Sequence, residues 1–399
     1  MNTIRPEENA LLIWNRALSH TAYISGEELK SLVEWANGTE NGFSKRLKRL
    51  GLINDADKLA IVDASAAAVH KKAPLRSFCA PESLHIELTE QCPLSCPQCY
   101  KSASHSQAKE IPFDRLLGVL QQANAVRVFQ IALGGGEPLV YPYLLPSIHK
   151  INTYGMASSI TTSGFGLDKN VLDELIHAGL DHIQISLNGS CEEVHSLSRD
   201  GYSLALNALE LLKTSEISYG INWVARKDNI DDFPMLLEKI SDFRAHNINI
   251  LRYKPSSEVY SDNYLSPEKM LLLAKLIRNS RGMNIKTDSA FSNLRCHINS
   301  ATSFLSGCGA GRRFLAVDAE GFCRPCSHVN MREDFGSIEY VWNNSANLDK
   351  FRNICDNISE PCIDCAYLHG CYGCRAIALV QGKGFYSGEG DCIFYSASG

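Results

Sequence analysis

Between Ser83 and about Arg281, short apolar runs of strand length alternate with helical patterns, and this alternation leaves few folds open. The strand-like runs are LHIELT, VFQIAL, SSITT, HIQISL, GINWVA and INILRY. The helical ones are FDRLLGVLQQANA, LLPSIHKINTY, NVLDELIHAGL, SLALNALELLKT, DFPMLLEKISDF and PEKMLLLAKLIRN. Parallel strands need crossovers of helix length, so the pattern predicts an α/β domain with a parallel sheet whose chemistry gathers at the strands' C-terminal ends. Six units fall short of the eight that close a barrel. The expected fold is a partial, TIM-like (β/α)6 barrel.

The flanks read differently, which divides the chain into residues 1–75, 76–288 and 289–399. At the start, ALLIW and TAYIS are followed by SGEE, where Ser25 and Glu28 have the spacing of a helix capping box. LKSLVEWA, the break NGTENG and the basic run FSKRLKRLGLI come next, before a linker around VHKKAPLRSF. A hairpin, two helices and a short strand predict a small winged-helix-like module. After Asp288 the alternation stops, and ten of the 15 cysteines follow. Such a segment is held by metal more readily than by an apolar core.

At 399 residues and 45% hydrophobic, the chain can bury one large core and one or two small ones. The net charge of -5, without long Lys/Arg blocks, argues against a nucleic-acid partner. No apolar stretch approaches 18 residues and the first residues carry acids, so neither a membrane span nor a signal peptide is expected and the protein reads as cytoplasmic. Cysteines in a reducing compartment are metal ligands or redox groups rather than disulfides. Cys79, Cys191 and Cys355 suit the plainer role of small buried apolar residues.

CPLSCPQC places Cys92, Cys96 and Cys99 in one loop directly after the first strand of the alternation. A structural zinc or a fully ligated four-iron cluster takes four protein ligands, so one position is filled from elsewhere or left open. GGGEPL, Gly134 to Leu139, follows the second strand. Its glycines allow close backbone approach, and Glu137 carries a charge suited to a cationic amine.

These two motifs, one strand apart, resemble the radical S-adenosylmethionine enzymes over most of residues 84–395. The resemblance implies a [4Fe-4S] cluster on Cys92, Cys96 and Cys99 whose open iron is chelated by S-adenosylmethionine, with reductive cleavage giving a radical that abstracts hydrogen. It further implies that Gly135, Gly136 and Glu137 receive the methionine amine. Ser186, in IQISLNG, and Arg226 stand where the family contacts ribose and carboxylate; their plainer roles are a helix cap and a solvated charge. Relatives usually have an aromatic or His before the third cysteine, whereas this chain has Gln98, followed after Cys99 by Tyr100. Backbone and Tyr100 are then expected to hold the adenine. Thr162-Ser163-Gly164 and Asn188 also depart from the usual Thr-Asn-Gly and Ser-Leu-Asp-Gly. No catalytic side chain is assigned.

The tail, CGAGRRFLAVDAEGFCRPC, CIDCAYLHGCYGC and DC, resembles the SPASM extension of radical enzymes that modify peptides, which houses two auxiliary iron-sulfur clusters. The family's crossed arrangement implies one cluster on Cys362, Cys365, Cys371 and Cys392. The other takes Cys308, Cys326 and Cys374, with Cys296 or Cys323 as fourth ligand. The last interval, Cys371 to Cys374, is one residue shorter than usual. A zinc ribbon on CIDC and CYGC is the alternative on spacing alone.

The resemblance implies a maturase that binds a ribosomally made precursor peptide through the N-terminal module and forms a thioether or carbon-carbon crosslink. The auxiliary clusters accept an electron, and a flavodoxin- or ferredoxin-type donor supplies the first one. Epimerisation is the competing outcome. Alternatives are a tetrapyrrole-modifying enzyme, a sulfatase-maturase-like enzyme and a zinc-stabilised peptide-binding protein. The N-terminal module could equally be a cap that only packs on the barrel.

Overall fold

Ala10–Asn15, the run ALLIWN, is apolar on both faces because both are covered. It is the middle strand, β2, of an antiparallel sheet with β1 (Thr3–Glu7) and β3 (His20–Ser25). The computed structural model describes residues 2–101, 108–255, 262–280, 282–298, 307–333 and 336–395; Arg281, the expected end of the alternation, lies outside them. On one face of β2, Leu11 and Ile13 pack with Leu32, Trp35, Leu47 and Ile61 of α1 (Gly26–Ala36), α2 (Gly42–Arg49) and α3 (Lys58–Ala68). On the other, Leu12 and Trp14 meet Phe78, Phe129 and Ala157 at the base of the barrel, with Trp14 stacked on Phe129 at 6.1 Å.

The N-terminal module therefore differs from the expected hairpin and two helices. TIRPE forms a third strand although it holds a proline and two charges, and KLAIVDASAAA forms a third helix. Alanine's high helix propensity is the signal for that helix. Ser25 precedes α1, but its side chain makes no cap bond; the capping box lies instead at Asn41 and Ser44, before α2.

The alternating region forms as expected. β4 (Ser83–Thr89), β5 (Gln130–Gly135), β6 (Ala157–Thr162), β7 (His182–Ser186), β8 (Ser218–Ala225) and β9 (Asn247–Arg252) pair in parallel in sequence order. The crossovers are α4 (Phe113–Ala125), α5 (Leu144–Thr153), α6 (Lys169–Ala178), α7 (Glu192–Ser196) with α8 (Tyr202–Lys213), and α9 (Phe233–Ser241); α10 (Pro267–Asn279) follows β9. Leu84, Ile86 and Leu88 of β4 sit in the shared apolar core, so period-2 alternation turns His85, Glu87 and Thr89 to the opposite face of the sheet. Across that face Gln184 bonds His182 and Asn247, and Asn249 bonds Asn222.

The sheet is wider than six strands. β10 (Ile285–Thr287) adds to β9, and the cysteine-rich tail contributes β11 (Phe314–Val317), parallel to β4, with β12 (Cys323–Arg324) antiparallel to it. The tail's other elements are short: α11 (Ser292–His297), α12 (Ile338–Asn344), α13 (Ala346–Arg352), α14 (Ile354–Asn357), α15 (Leu368–Cys371) and α16 (Arg375–Val380). Arg252, buried at the end of β9, ties tail to barrel through Glu389 at 2.5 Å and Asp391 at 2.8 Å. Among the described residues, no helix is long and apolar enough to cross a membrane.

Two predictions follow from these contacts. Arg5, 3% exposed, pairs with Glu7 at 2.7 Å and donates to the carbonyls of Ala80, Pro81 and Arg127 across the module–barrel seam. Arg5→Ala strands a buried carboxylate and three carbonyls, so destabilisation of about 3–5 kcal/mol is expected in chemical denaturation. In the β11–β12 turn, burial alone would raise the Asp318 pKa. Hydrogen bonds from Arg324 and from the Phe322 and Glu320 amides outweigh it and hold the carboxyl below its ordinary 3.8. A depressed folded-state pKa contributes stability that is present above 3.8 and lost as pH falls through the folded value. The wild-type advantage over Asp318→Asn in thermal melting should therefore be full at neutral pH and vanish on acidification.

Candidate active site

The loop carrying Cys92, Cys96 and Cys99 leaves the C-terminal end of β4, and its anchors are spread along the chain. Glu90 N–H donates to the Lys109 carbonyl at 2.7 Å, Ser95 N–H donates to Asp200 at 2.8 Å, and the side chain of Leu94 lies 3.2 Å from where a β-carbon on Gly201 would stand. Lys101, just past the third cysteine, makes a close buried ion pair with Glu87 on β4. All 15 cysteines have free thiols, and burial raises the Cys92 thiol pKa, with the Glu137 and Cys96 charges adding to it.

The glycines of GGGEPL are explained by the backbone they touch. A β-carbon on Gly135 would lie 2.3 Å from the Thr89 carbonyl oxygen, and one on Gly136 would lie 2.1 Å from that of Gln91. Gly135 also has φ +123°. The Gly136 and Glu137 amides donate to those same two carbonyls, at 2.6 and 2.9 Å. The turn is thus sewn to the segment running into Cys92.

Glu137 departs from expectation. Its carboxylate is 1% exposed and accepts hydrogen bonds from Thr162 Oγ1 (2.6 Å), Ser163 N (2.9 Å), Ser163 Oγ (2.6 Å) and Leu139 N (3.2 Å). A carboxylate has about four lone-pair positions, so all are taken and no capacity is left for an amine. The unusual Thr162-Ser163 pair supplies three of those donors, and Asn188 links the β7 and β8 loops through Ser198 Oγ and Val224 N.

Ser186 ends β7 at 6% exposure and caps no helix. Arg226, directly after β8, is fully buried rather than a solvated charge. It donates to the Leu197 carbonyl and to Asp228, while its Nε and Nη1 find no partner. Gln98 likewise has a buried Oε1 without a partner. The Tyr100 ring packs at a tilt against His328 of the tail, centroids 4.4 Å apart, and feels the charges of both Cys99 and Cys326, so it stands between the cysteine loop and the tail. Sequence reasoning missed Glu87, Lys101, Asp200 and His328. Glu87 had a signal, a charge at an alternating position of an apolar strand; the others depend on pairings between distant segments.

In the tail, Cys326 feels the charges of Cys308 and Cys374, and Cys374 feels that of Cys308, with Lys254 close by and paired to Asp288 at 2.6 Å. Cys362 neighbours Cys392 and Cys365, and Cys371 neighbours Cys392. Cys323 lies on β12 beside Glu333, Arg115 and Asp318, its thiol pushed up to about 12, chiefly by burial. Cys296 lies on α11 beside Cys365 and Cys392. Among the described residues no three His, Cys, Asp or Glu side chains converge as ligands of a single metal ion do. A cavity of about 450 Å³ is lined by Trp14 and His20 of the N-terminal module, by Ser83 and Gln130 at the starts of β4 and β5, and by Gly309 and Phe314 of the tail.

Residues 86–240 match the model of the radical SAM superfamily, and the chain carries a radical SAM domain. The PqqA peptide cyclase of Gluconobacter oxydans is 27% identical over 321 residues, 75% of this chain and 87% of that one. The PqqA peptide cyclase of Ruegeria pomeroyi is 25% identical over 331 residues, 77% and 86% of the two chains. Among solved structures, Streptococcus suis SuiB bound to S-adenosylmethionine superposes with a TM-score of 0.76 at 17% identity, covering 98% of each chain. anSMEcpe with bound AdoMet gives 0.63 at 17% identity over 80% of this chain and 95% of that one.

The backbone seam gives a direct test. Gly136→Ala pushes Gln91, and with it Cys92, by about an ångström, a misplacement expected to slow S-adenosylmethionine cleavage about 100-fold. Formation of 5′-deoxyadenosine under anaerobic reduction measures it.

Proposed function

We propose that this chain is a peptide maturase that binds a ribosomally made precursor through its N-terminal sheet and crosslinks it by radical chemistry in the barrel. One observation carries the reading: among the described residues β3 pairs only with β2, leaving an open strand edge on a module docked to the barrel. An open edge takes an extended peptide as an added strand. SuiB bound to its precursor peptide SuiA has the same overall fold, TM-score 0.74 over 98% of this chain, and the curated relatives are peptide cyclases. The proposed parts are residues 1–75 for recognition, 76–288 for the radical chemistry and 289–399 for the auxiliary clusters.

Cys92, Cys96 and Cys99 would hold the first [4Fe-4S] cluster. Three thiols in one loop, with no fourth beside them, fit a site that keeps one iron open for S-adenosylmethionine. When bound, these groups supply the hydrogen-abstracting radical, and clusters on the tail's two thiol sets supply an acceptor for the electron given up as the crosslink forms. The chain's own work is placement. Since Glu137 is saturated, the backbone carbonyls of the glycine turn would take the methionine amine, and Glu137 would hold that turn in shape. Arg226, with two unpartnered nitrogens, Nε and Nη1, suits the carboxylate. Ser186 suits the ribose, and Gln98 and Tyr100 flank the adenine side. The electron enters from a flavodoxin- or ferredoxin-type donor, in the cytoplasm.

Amide hydrogen exchange tests the recognition step. Addition of the precursor peptide is expected to protect the amides of residues 20–25, as strand addition requires, and to raise 5′-deoxyadenosine formation. Protection elsewhere with none on β3 would mean that the module is only a cap. A crosslink is read as a product mass about two hydrogens lower, whereas epimerisation leaves the mass unchanged.

A further inference from the structure

Five thiols, one more than a cluster needs, gather at the second site of the tail. Cys296 lies near the end of α11, which packs on α15, the helix that ends in Cys371. The ring of His297, the next residue, is 6.5 Å from Phe394, and Phe394 stacks on Tyr367 at 4.3 Å. Phe394 and Tyr367 each stand two residues beyond a cysteine, Cys392 and Cys365, so this run of rings draws Cys296, Cys365 and Cys392 together. The charges agree with the packing: Cys365 and Cys392 act on Cys296, and Cys296 in turn acts on Cys371. Cys296 itself is 4% exposed, shielded from solvent and directed into the tail.

A buried thiol in this company has two uses. As a plain apolar filler it would be idle, yet three other thiols, Cys365, Cys371 and Cys392, neighbour it and no apolar cluster of the described residues includes it. From the packing of α11 we infer that the second auxiliary site is a five-thiol site, in which Cys296 is an iron ligand interchangeable with Cys365. This rests on the auxiliary-cluster reading above. The exchange is redox-neutral: one iron–sulfur bond forms as another breaks, and the proton of the entering Cys296 thiol passes to the departing Cys365 thiolate. The site would keep its cluster when one of its thiols is lost.

Iron and acid-labile sulfide counts on the anaerobically reconstituted full-length chain test this. The wild type is expected to hold about twelve irons, three clusters of four. Cys365→Ala should keep nearly all of them, and the double variant Cys296→Ala/Cys365→Ala should lose about four, one whole cluster. Loss of about four irons by Cys365→Ala alone, or no loss in the double variant, overturns the five-thiol site and leaves the auxiliary clusters standing. About four irons in the wild type would overturn both. A second measurement does not depend on Cys365 variants folding. The reduced wild type should show one more auxiliary component in electron paramagnetic resonance than Cys296→Ala, and an identical spectrum in the two proteins overturns the exchange.

Discussion

The reactive end of this molecule depends on a backbone-to-backbone contact. The turn at Gly135–Glu137 lies so close to Thr89–Gln91 that a single β-carbon on either glycine would strike a carbonyl oxygen at 2.1–2.3 Å. Two hydrogen bonds close the seam, and the Glu137 carboxylate, saturated by Thr162, Ser163 and Leu139, locks the turn to the next strand. The C-terminal ends of β4, β5 and β6 are thereby fixed together just where the three-cysteine loop begins. Preorganisation of this kind costs nothing at the moment of reaction, because the geometry is set on folding.

Around that seam the chain is built from both sides. β2 buries apolar side chains on two faces, one into its own helices and one onto the base of the barrel, which attaches the module at the end of the strands opposite the chemistry. The tail attaches at the other edge, adding β11 beside β4 and anchoring to Arg252 through Glu389 and Asp391. His328 then reaches Tyr100, so the cysteine loop and the cysteine-rich tail touch through a ring contact. An electron leaving the barrel toward the tail would have a short path across it.

Much of this was legible in the sequence because it is local. Period-2 and helical patterns point to the six barrel strands, and cysteines spaced within one loop point to the candidate site. What escaped notice was non-local. TIRPE reads poorly as a strand until its partner β2 is known, and Glu137 looks free until Thr162 and Ser163 are placed beside it. Spacing alone groups Cys296 with Cys308, twelve residues on, whereas the fold packs α11 on α15 and sets the next ring, His297, near Phe394. Spacing along the chain names candidate ligands; only packing sorts them into sets.

The central claim is that Cys92, Cys96 and Cys99 hold a cluster with one open iron, and that S-adenosylmethionine fills it. Electron–nuclear double resonance on the reduced protein, with the S-adenosylmethionine carboxylate labelled with oxygen-17, tests this most directly. The account predicts a hyperfine coupling between the label and the cluster that is lost when Cys96 is replaced by alanine. A labelled carboxylate that binds without coupling to the cluster would contradict it.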